Sequence, residues 1–439
     1  MSHEELVTRH RAVMPSWLSL YYEEPIEIVS GRGCRVTDTD GKTYLDFFAG
    51  ILTNMIGYDV PEVREAIDRQ LDRGVMHTST LYLIRSQVEL AEKIAHLSGI
   101  PDARVFFTSS GTEANEAALL FATQWRRSNQ VIALRNSYHG RAFATVAITG
   151  NRGWSASSLS PVQVTYAQNG YRYRSPYGYL DDEGFIEACA QDLRDVIETT
   201  TAGDVACMIA EPIQGVGGFT VPPDGLFRAY KEILDEYGIL FISDEVQTGW
   251  GRTGDHFWGI GAHEVTPDAM TFAKGLGNGA SIGGVVARGE VMNCLTANSI
   301  ATFGGNPVST AAANATLDYV LSHDLQAQAA KTGSLLLDGL RDLPEHNPSV
   351  GDVRGRGLMI GIEMVEPGTK VPDPGSAGDV LEAARRGGLL IGKGGLYGNC
   401  LRIAPPLTLS ESEAAEGLAI LLDAFGAAAT TRPRSDGGE

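Results

Sequence analysis

A chain of 439 residues, 20% charged and 43% hydrophobic, has a normal globular balance, with length enough for two domains or one large α/β body with an appendage. A net charge of −19 without any Lys/Arg-rich run argues against nucleic-acid binding. Five scattered cysteines without a CxxC pair, and nine histidines without an HExxH pattern, argue against a disulfide framework or zinc site and fit a reducing cytoplasm.

The opening MSHEELVTRHRAVMP is too charged for a secretory signal. The most apolar late stretch, 417–429, is shorter than the roughly 20 residues of a membrane span. Residues 1–25 read as an arm with Trp17, Tyr21 and Tyr22 as its adhesive side chains. GRGCRVTDTDGKTYLDFFAGI alternates around Asp40-Gly41 and predicts a β-meander with a hairpin turn. Apolar residues at helical spacing predict helices over 63–73 and 86–97. A short strand at 105–107 then leads into TSSGTEANEAALLFATQW, where a glycine turn opens onto a helix. Free N–H groups and the helix dipole there attract phosphate to Gly111 and Thr112. Ser110 and Glu113 also fit a capping box, and both readings can hold together.

A strand at 131–134 precedes NSYHGRAFAT, and the Ser/Gly/Tyr/Asn-rich 151–185 reads as a long surface loop. A helix over 184–200 and a strand over 205–210 follow, the strand running into EPIQGVGGF with Glu211 at its end. Helix 227–237 leads to the stretch around which the chain is organised. There the apolar run 239–243 ends in Asp244 and Glu245, and the run 269–273 ends in Lys274 among Gly275, Gly277 and Gly279. Open α/β sheets place their sites at such strand ends. A partly desolvated lysine suits Schiff-base chemistry, and an aspartate can hold a pyridine nitrogen protonated. Taken singly, Lys274 reads as a surface lysine and Asp244 as a helix cap.

Beyond Lys274, SIGGVVARGEV predicts a strand pair. Helix 326–343, a turn plus strand in VRGRGLMIGIEMV, helix 376–387, a strand with Arg402 and helix 410–428 make a smaller α/β unit. The tail TTRPRSDGGE is expected to be disordered. The predicted divisions are 1–55, arm and hairpin belonging to the small domain; 56–324, large domain; 325–430, C-terminal small domain; and 431–439, tail.

SDEVQTGWGRTG followed by TFAKGLGNG closely resembles the signature of the class III (omega-type) pyridoxal-phosphate (PLP)-dependent aminotransferases, and the resemblance runs from about residue 20 to 425. It implies PLP fold type I: a mostly parallel seven-stranded sheet wrapped by helices, with a smaller α/β domain built from both chain ends. It implies PLP on Lys274, Asp244 at the pyridine nitrogen, and Ser110, Gly111 and Thr112 around the phosphate. Tyr138 would stack on the ring, Val246 pack under it and Gln247 bind its phenolic oxygen. Thr302 would reach the phosphate in the neighbouring subunit of a homodimer, or of a dimer of dimers.

For substrates, the resemblance makes Arg141 a carboxylate-binding arginine. Glu211 and Arg402 become a switchable ion pair, with a fixed salt bridge as the alternative. The implied reaction is ping-pong transfer from an amino acid or omega-amine to pyruvate, glyoxylate or 2-oxoglutarate. The motifs look closest to the alanine–glyoxylate type 2 and 4-aminobutyrate branches, with Arg141 also matching acetylornithine aminotransferases. Decarboxylation, epimerisation and amino-group migration on the same scaffold stay open, as does a non-catalytic PLP-binding role. One departure is Gly57-Tyr58-Asp59-Val60-Pro61 where the family has Gly-His-x-His-Pro. Gly275-x-Gly277-x-x-Ala280 also fits a nicotinamide-dinucleotide fingerprint, but SIGGVVA after it predicts no helix.

Overall fold

The computed structural model describes residues 3–431. Its centre is a seven-stranded sheet in the order Ala103–Thr108, Gly283–Arg288, Ala269–Phe272, Leu240–Asp244, Cys207–Ala210, Gln130–Leu134, Gln163–Ala167. The strands from 269–272 through 163–167 pair in parallel. Gly283–Arg288 runs antiparallel to both its neighbours, making the sheet mostly parallel. Every residue of the 240–244, 207–210 and 130–134 strands is buried, as strands covered by helices on both faces require.

Two departures from the sequence reading lie in this sheet. The stretch 151–185 is not one loop, because Gln163–Ala167 forms the edge strand. SIGGVVARGEV makes one strand rather than two, since Gly289–Met292 turns directly into a short helix.

Two four-stranded sheets form the smaller part. In one, Ile28–Arg32, Arg35–Asp38 and Thr43–Asp46 make the expected meander, and Leu389–Leu390 pairs in parallel with its last strand. That pairing joins the two chain ends. In the other, VRGRGLMIGIEMV is a hairpin of Val350–Arg356 and Met359–Met364, beside Cys400–Ile403 and Gly392–Gly394. The N-terminal arm begins as a helix, His3–Val13, and docks through Tyr21 and Tyr22, whose hydroxyls donate to the Lys393 and Ile391 carbonyls. The last helix, Glu411–Thr431, extends past its expected end, and the rest of the expected disordered tail lies outside the described residues. No described helix is long and apolar enough to cross a membrane.

Candidate active site

The C-terminal ends of the parallel strands gather the titratable groups. Helix Gly111–Arg126 starts beside them, with Ser110 Oγ accepting from the Glu113 N–H at 3.2 Å. The Glu113 carboxylate in turn accepts from the Ser109 N–H at 2.7 Å. With those donors matched, the N–H groups of Gly111 and Thr112 have no acceptor among the described residues. A helix start with two free donors favours an anion.

Asp244 and Glu245 diverge although they are adjacent. Asp244 Oδ2 accepts from Asn115 Nδ2 at 2.8 Å and lies 2.8 Å from His139 Nδ1, and Oδ1 accepts from the Val246 N–H at 3.2 Å. Asn115 also donates to the His139 carbonyl at 2.8 Å. Glu245 instead accepts from the Thr248 hydroxyl and from the N–H groups of Gly259 and Ile260, tying down the chain that follows. Asn115 and His139 were not singled out by the sequence. The available signal was a buried asparagine four residues after Gly111 on the inner face of a helix.

Lys274 follows the neighbouring strand with a left-handed φ of +43°, a conformation that costs a non-glycine residue energy. It opens onto a cavity and is enclosed elsewhere. Burial pushes its ammonium down to about 8, although the Asp244 and Glu211 carboxylates support the charge. The segment Lys274–Gly277 is a single 3-10 turn leading to the Gly283–Arg288 strand, so the dinucleotide fingerprint has no helix to open.

The cavity measures about 310 Å³. Ser110, Gly111, Thr112, Tyr138, Glu211, Asp244, Val246, Gln247 and Lys274 all line it. The lining suits a flat, anionic, aromatic guest. A Cβ at Gly111 would sit 3.1 Å from both Val246 methyl groups and narrow the space. Gln247 Oε1, His139 Nε2 and Asn115 Oδ1 are buried without a partner.

Three expected site residues do not line the cavity. Arg402 lies just behind it, its guanidinium stacked on Phe48 at 4.8 Å and Phe219 at 5.5 Å. It donates to the Gly215 carbonyl from Nη1 at 3.1 Å and to the Lys393 carbonyl from Nε and Nη2 at 3.2 and 2.9 Å. Arg141 is exposed, 5.3 Å above the Trp17 ring. Thr302 is exposed in a separate hollow with Glu113 and Phe303.

The expected Glu211–Arg402 ion pair, switchable or fixed, is not formed in this structure. Glu211 accepts from the Tyr138 and Gly215 N–H groups, each at 2.8 Å. The turn after Glu211 brings the Gly215 peptide between the two side chains, so its N–H meets the carboxylate and its carbonyl meets the guanidinium. A Cβ at Gly215 would fall 2.1 Å from Gln247 Nε2 and push that amide out of its place. Burial pushes the Glu211 carboxyl upward, and the neighbouring His139 opposes the shift.

A family model for class-III aminotransferases matches residues 21–425. A mitochondrial alanine–glyoxylate aminotransferase 2 homolog 2 from Arabidopsis thaliana is 41% identical over 413 residues, 93% of this chain and 84% of the relative. An acetylornithine aminotransferase from Methanothermobacter thermautotrophicus is 37% identical over 94% of this chain and 96% of its own length. The crystal structure of an (S)-enantioselective omega-transaminase from Thermomicrobium roseum superposes with a TM-score of 0.89 at 34% identity, covering 98% of this chain and 99% of the other. The chain belongs to the class III aminotransferases, enzymes that transfer amino groups with pyridoxal phosphate.

Proposed function

We propose that the cavity holds PLP by its phosphate at Ser110, Gly111 and Thr112, with Lys274 as the covalent attachment point. The observation carrying this reading is that Lys274 and Asp244, from neighbouring strands, share one cavity with an unmatched helix start. When bound, PLP carries the amino group on its aldehyde carbon, and its ring takes up the electron pair left by the departing substrate proton. Asp244, oriented by His139 and Asn115, keeps a proton on the ring nitrogen. Tyr138 and Val246 bound the ring, and Gln247 binds its phenolic oxygen. Lys274 Nζ, with its charged form disfavoured by burial, takes the proton from the amino-bearing carbon of the substrate.

Arg402 is the site for the substrate carboxylate next to the reacting carbon. Of the five guanidinium N–H donors, those on two carbonyls leave a pair free for a carboxylate. Glu211 is already matched by backbone, so nothing must swing aside first. That favours alanine as donor and pyruvate or glyoxylate as acceptor over omega-amines, whose binding requires Arg402 to be masked. The name of the Arabidopsis relative points the same way. Arg141 is a second carboxylate site for longer acceptors such as 2-oxoglutarate.

The enzyme works as a homodimer in which Thr302 serves the partner's cofactor. Support comes from the exposed apolar side chains of Met76, Leu81, Tyr82, Leu83, Ile300 and Phe303, which a monomer would leave in water. All five cysteines are free, which suits the cytoplasm. A panel of donors against pyruvate, glyoxylate and 2-oxoglutarate, read by the cofactor's visible absorption, tests the substrate reading. Alanine should discharge the absorption faster than 4-aminobutyrate, and the reverse order would overturn it.

A further inference from the structure

The assignment of Arg402 as the carboxylate site leaves open what holds that arginine in place. Arg354, in the Val350–Arg356 strand, does not line the cavity and its side chain is 8% exposed. Its charge is already matched. Nη1 donates to Asp352 at 2.8 Å and to the Tyr171 hydroxyl at 2.7 Å, and Nη2 lies 3.2 Å from Glu363. The Tyr171 ring faces the guanidinium at 4.5 Å. Yet two further bonds reach across to the turn after Glu211: Nη2 donates to the Gly218 carbonyl at 2.6 Å and Nε to the Phe219 carbonyl at 3.2 Å.

That turn is strained. Phe219 is fully buried with φ +54°. Gly218 has φ +101°, and a Cβ there would lie 2.7 Å from Cys400 Sγ. The same turn meets Arg402 twice. The Phe219 ring stacks on its guanidinium, and the Gly215 carbonyl that takes its Nη1 also accepts from the Gly218 and Phe219 N–H groups at 3.2 and 3.4 Å. Neither Lys274 nor Asp244 touches this assembly.

We propose that Arg354 is a positioning residue for the substrate carboxylate site. Anchored by Asp352 and Glu363, it holds the Gly218–Phe219 turn so that the Gly215 carbonyl and the Phe219 ring fix the Arg402 guanidinium. The inference rests on the carboxylate reading of Arg402. Losing the two-carbonyl fork releases the strained turn, and Arg402 then loses a wall and an acceptor. The damage falls on carboxylate binding and leaves the proton-moving groups alone.

The test compares PLP-loaded Arg354→Lys, Phe219→Leu and Arg402→Lys enzymes. The readouts are pyruvate KM and kcat, and inhibition by propionate, which has a carboxylate but nothing to transfer. Arg354→Lys should raise the pyruvate KM and the propionate inhibition constant together, about tenfold, with kcat within about threefold of wild type. Phe219→Leu keeps the buried ion pairs and should do the same more weakly, about threefold. If Arg354→Lys does not fold, Phe219→Leu decides: unchanged constants overturn the inference. A fall in kcat with both constants unchanged marks a merely structural role and also overturns it. If Arg402→Lys weakens both constants while the other two variants do not, the inference alone falls. If Arg402→Lys changes neither, the carboxylate reading is wrong and the inference falls with it.

Discussion

Five donors converge on the Glu363 carboxylate: the Tyr171 hydroxyl, Arg174 Nε, Arg354 Nη2, Asn399 Nδ2 and the Cys400 thiol. Some strands away, Asp244 is held by His139 and Asn115, but each of those leaves a buried polar atom without a partner, as does Gln247 beside them. Both clusters are buried and both centre on a carboxylate. Leaving a buried polar atom unmatched costs free energy that packing elsewhere must offset, so a group of them on one cavity wall is a candidate ligand contact. The Glu363 carboxylate is saturated by protein donors, although Arg174 Nη2 beside it is buried without a partner, and none of its cluster lines the cavity. The three residues with unmatched atoms around Asp244 all line the cavity, where a ligand can reach them.

The sharpest way to break this comparison is to damage the Glu363 cluster. Burial alone would push the Glu363 carboxyl up, but Arg354, the Cys400 thiol and Arg174 together hold it down at about 2. Glu363→Gln leaves Arg354 and Arg174 short of their counter-charge and should cost about 3–5 kcal/mol of unfolding free energy near neutral pH. The folded pKa is below the unfolded value, so the group's contribution is present above the ordinary glutamate range and disappears as pH falls through about 2. Urea unfolding of wild type and variant should therefore converge in acid. A gap that stays constant from neutral pH down to acid would show that ionisation of Glu363 contributes nothing.

Damage to the Asp244 cluster should read out differently. Asp244→Asn keeps the shape, so melting should change little while turnover falls at least about tenfold to a hundredfold, matching the 1.5–3 kcal/mol of a charge-assisted hydrogen bond. Glu245→Gln is the internal contrast. It should lower stability through the Thr248 and Gly259–Ile260 contacts while sparing turnover per folded molecule. Near wild-type turnover in Asp244→Asn would remove Asp244 from the chemistry.

The contrast also explains what the sequence could yield. The strands leading to Lys274 and Asp244 were legible as largely apolar runs, which a strand buried on both faces must have. The roles of the two residues, however, came from the whole string SDEVQTGWGRTG and TFAKGLGNG. The Gln163–Ala167 strand was not legible, since only Ala167 is fully buried and a half-exposed edge needs no apolar run. The hairpin at 350–364 hid for a similar reason: VGDVRGR is polar because Arg354 is satisfied by partners distant in sequence. The absent Glu211–Arg402 pair was beyond reach, because the position of one peptide, Gly215, decides it. Thr302 lies outside the cavity of its own chain, and its expected role across a subunit boundary came from the resemblance alone.

The smallest expected effect separates an enclosed lysine from an ordinary one. In PLP-free enzyme, covalent capture of added PLP requires neutral Lys274, so its rate follows the neutral fraction of the amine. With burial holding the amine at about 8, that fraction rises only about tenfold between pH 7 and pH 9, about 1.4 kcal/mol, and is nearly level above. An ordinary lysine, titrating near 10.4, would give about a hundredfold rise over the same interval and no plateau. The stability of the PLP-free protein should move in step. Between about pH 8 and pH 10 the unfolded chain keeps a proton on this lysine that the folded chain has shed, so stability gains from this group as pH rises. Lys274→Ala should abolish the capture and flatten that part of the stability profile. A capture rate climbing steadily past pH 9 in wild type would mean that the lysine is not held neutral by its surroundings, and that Asp244 and Glu211 outweigh burial.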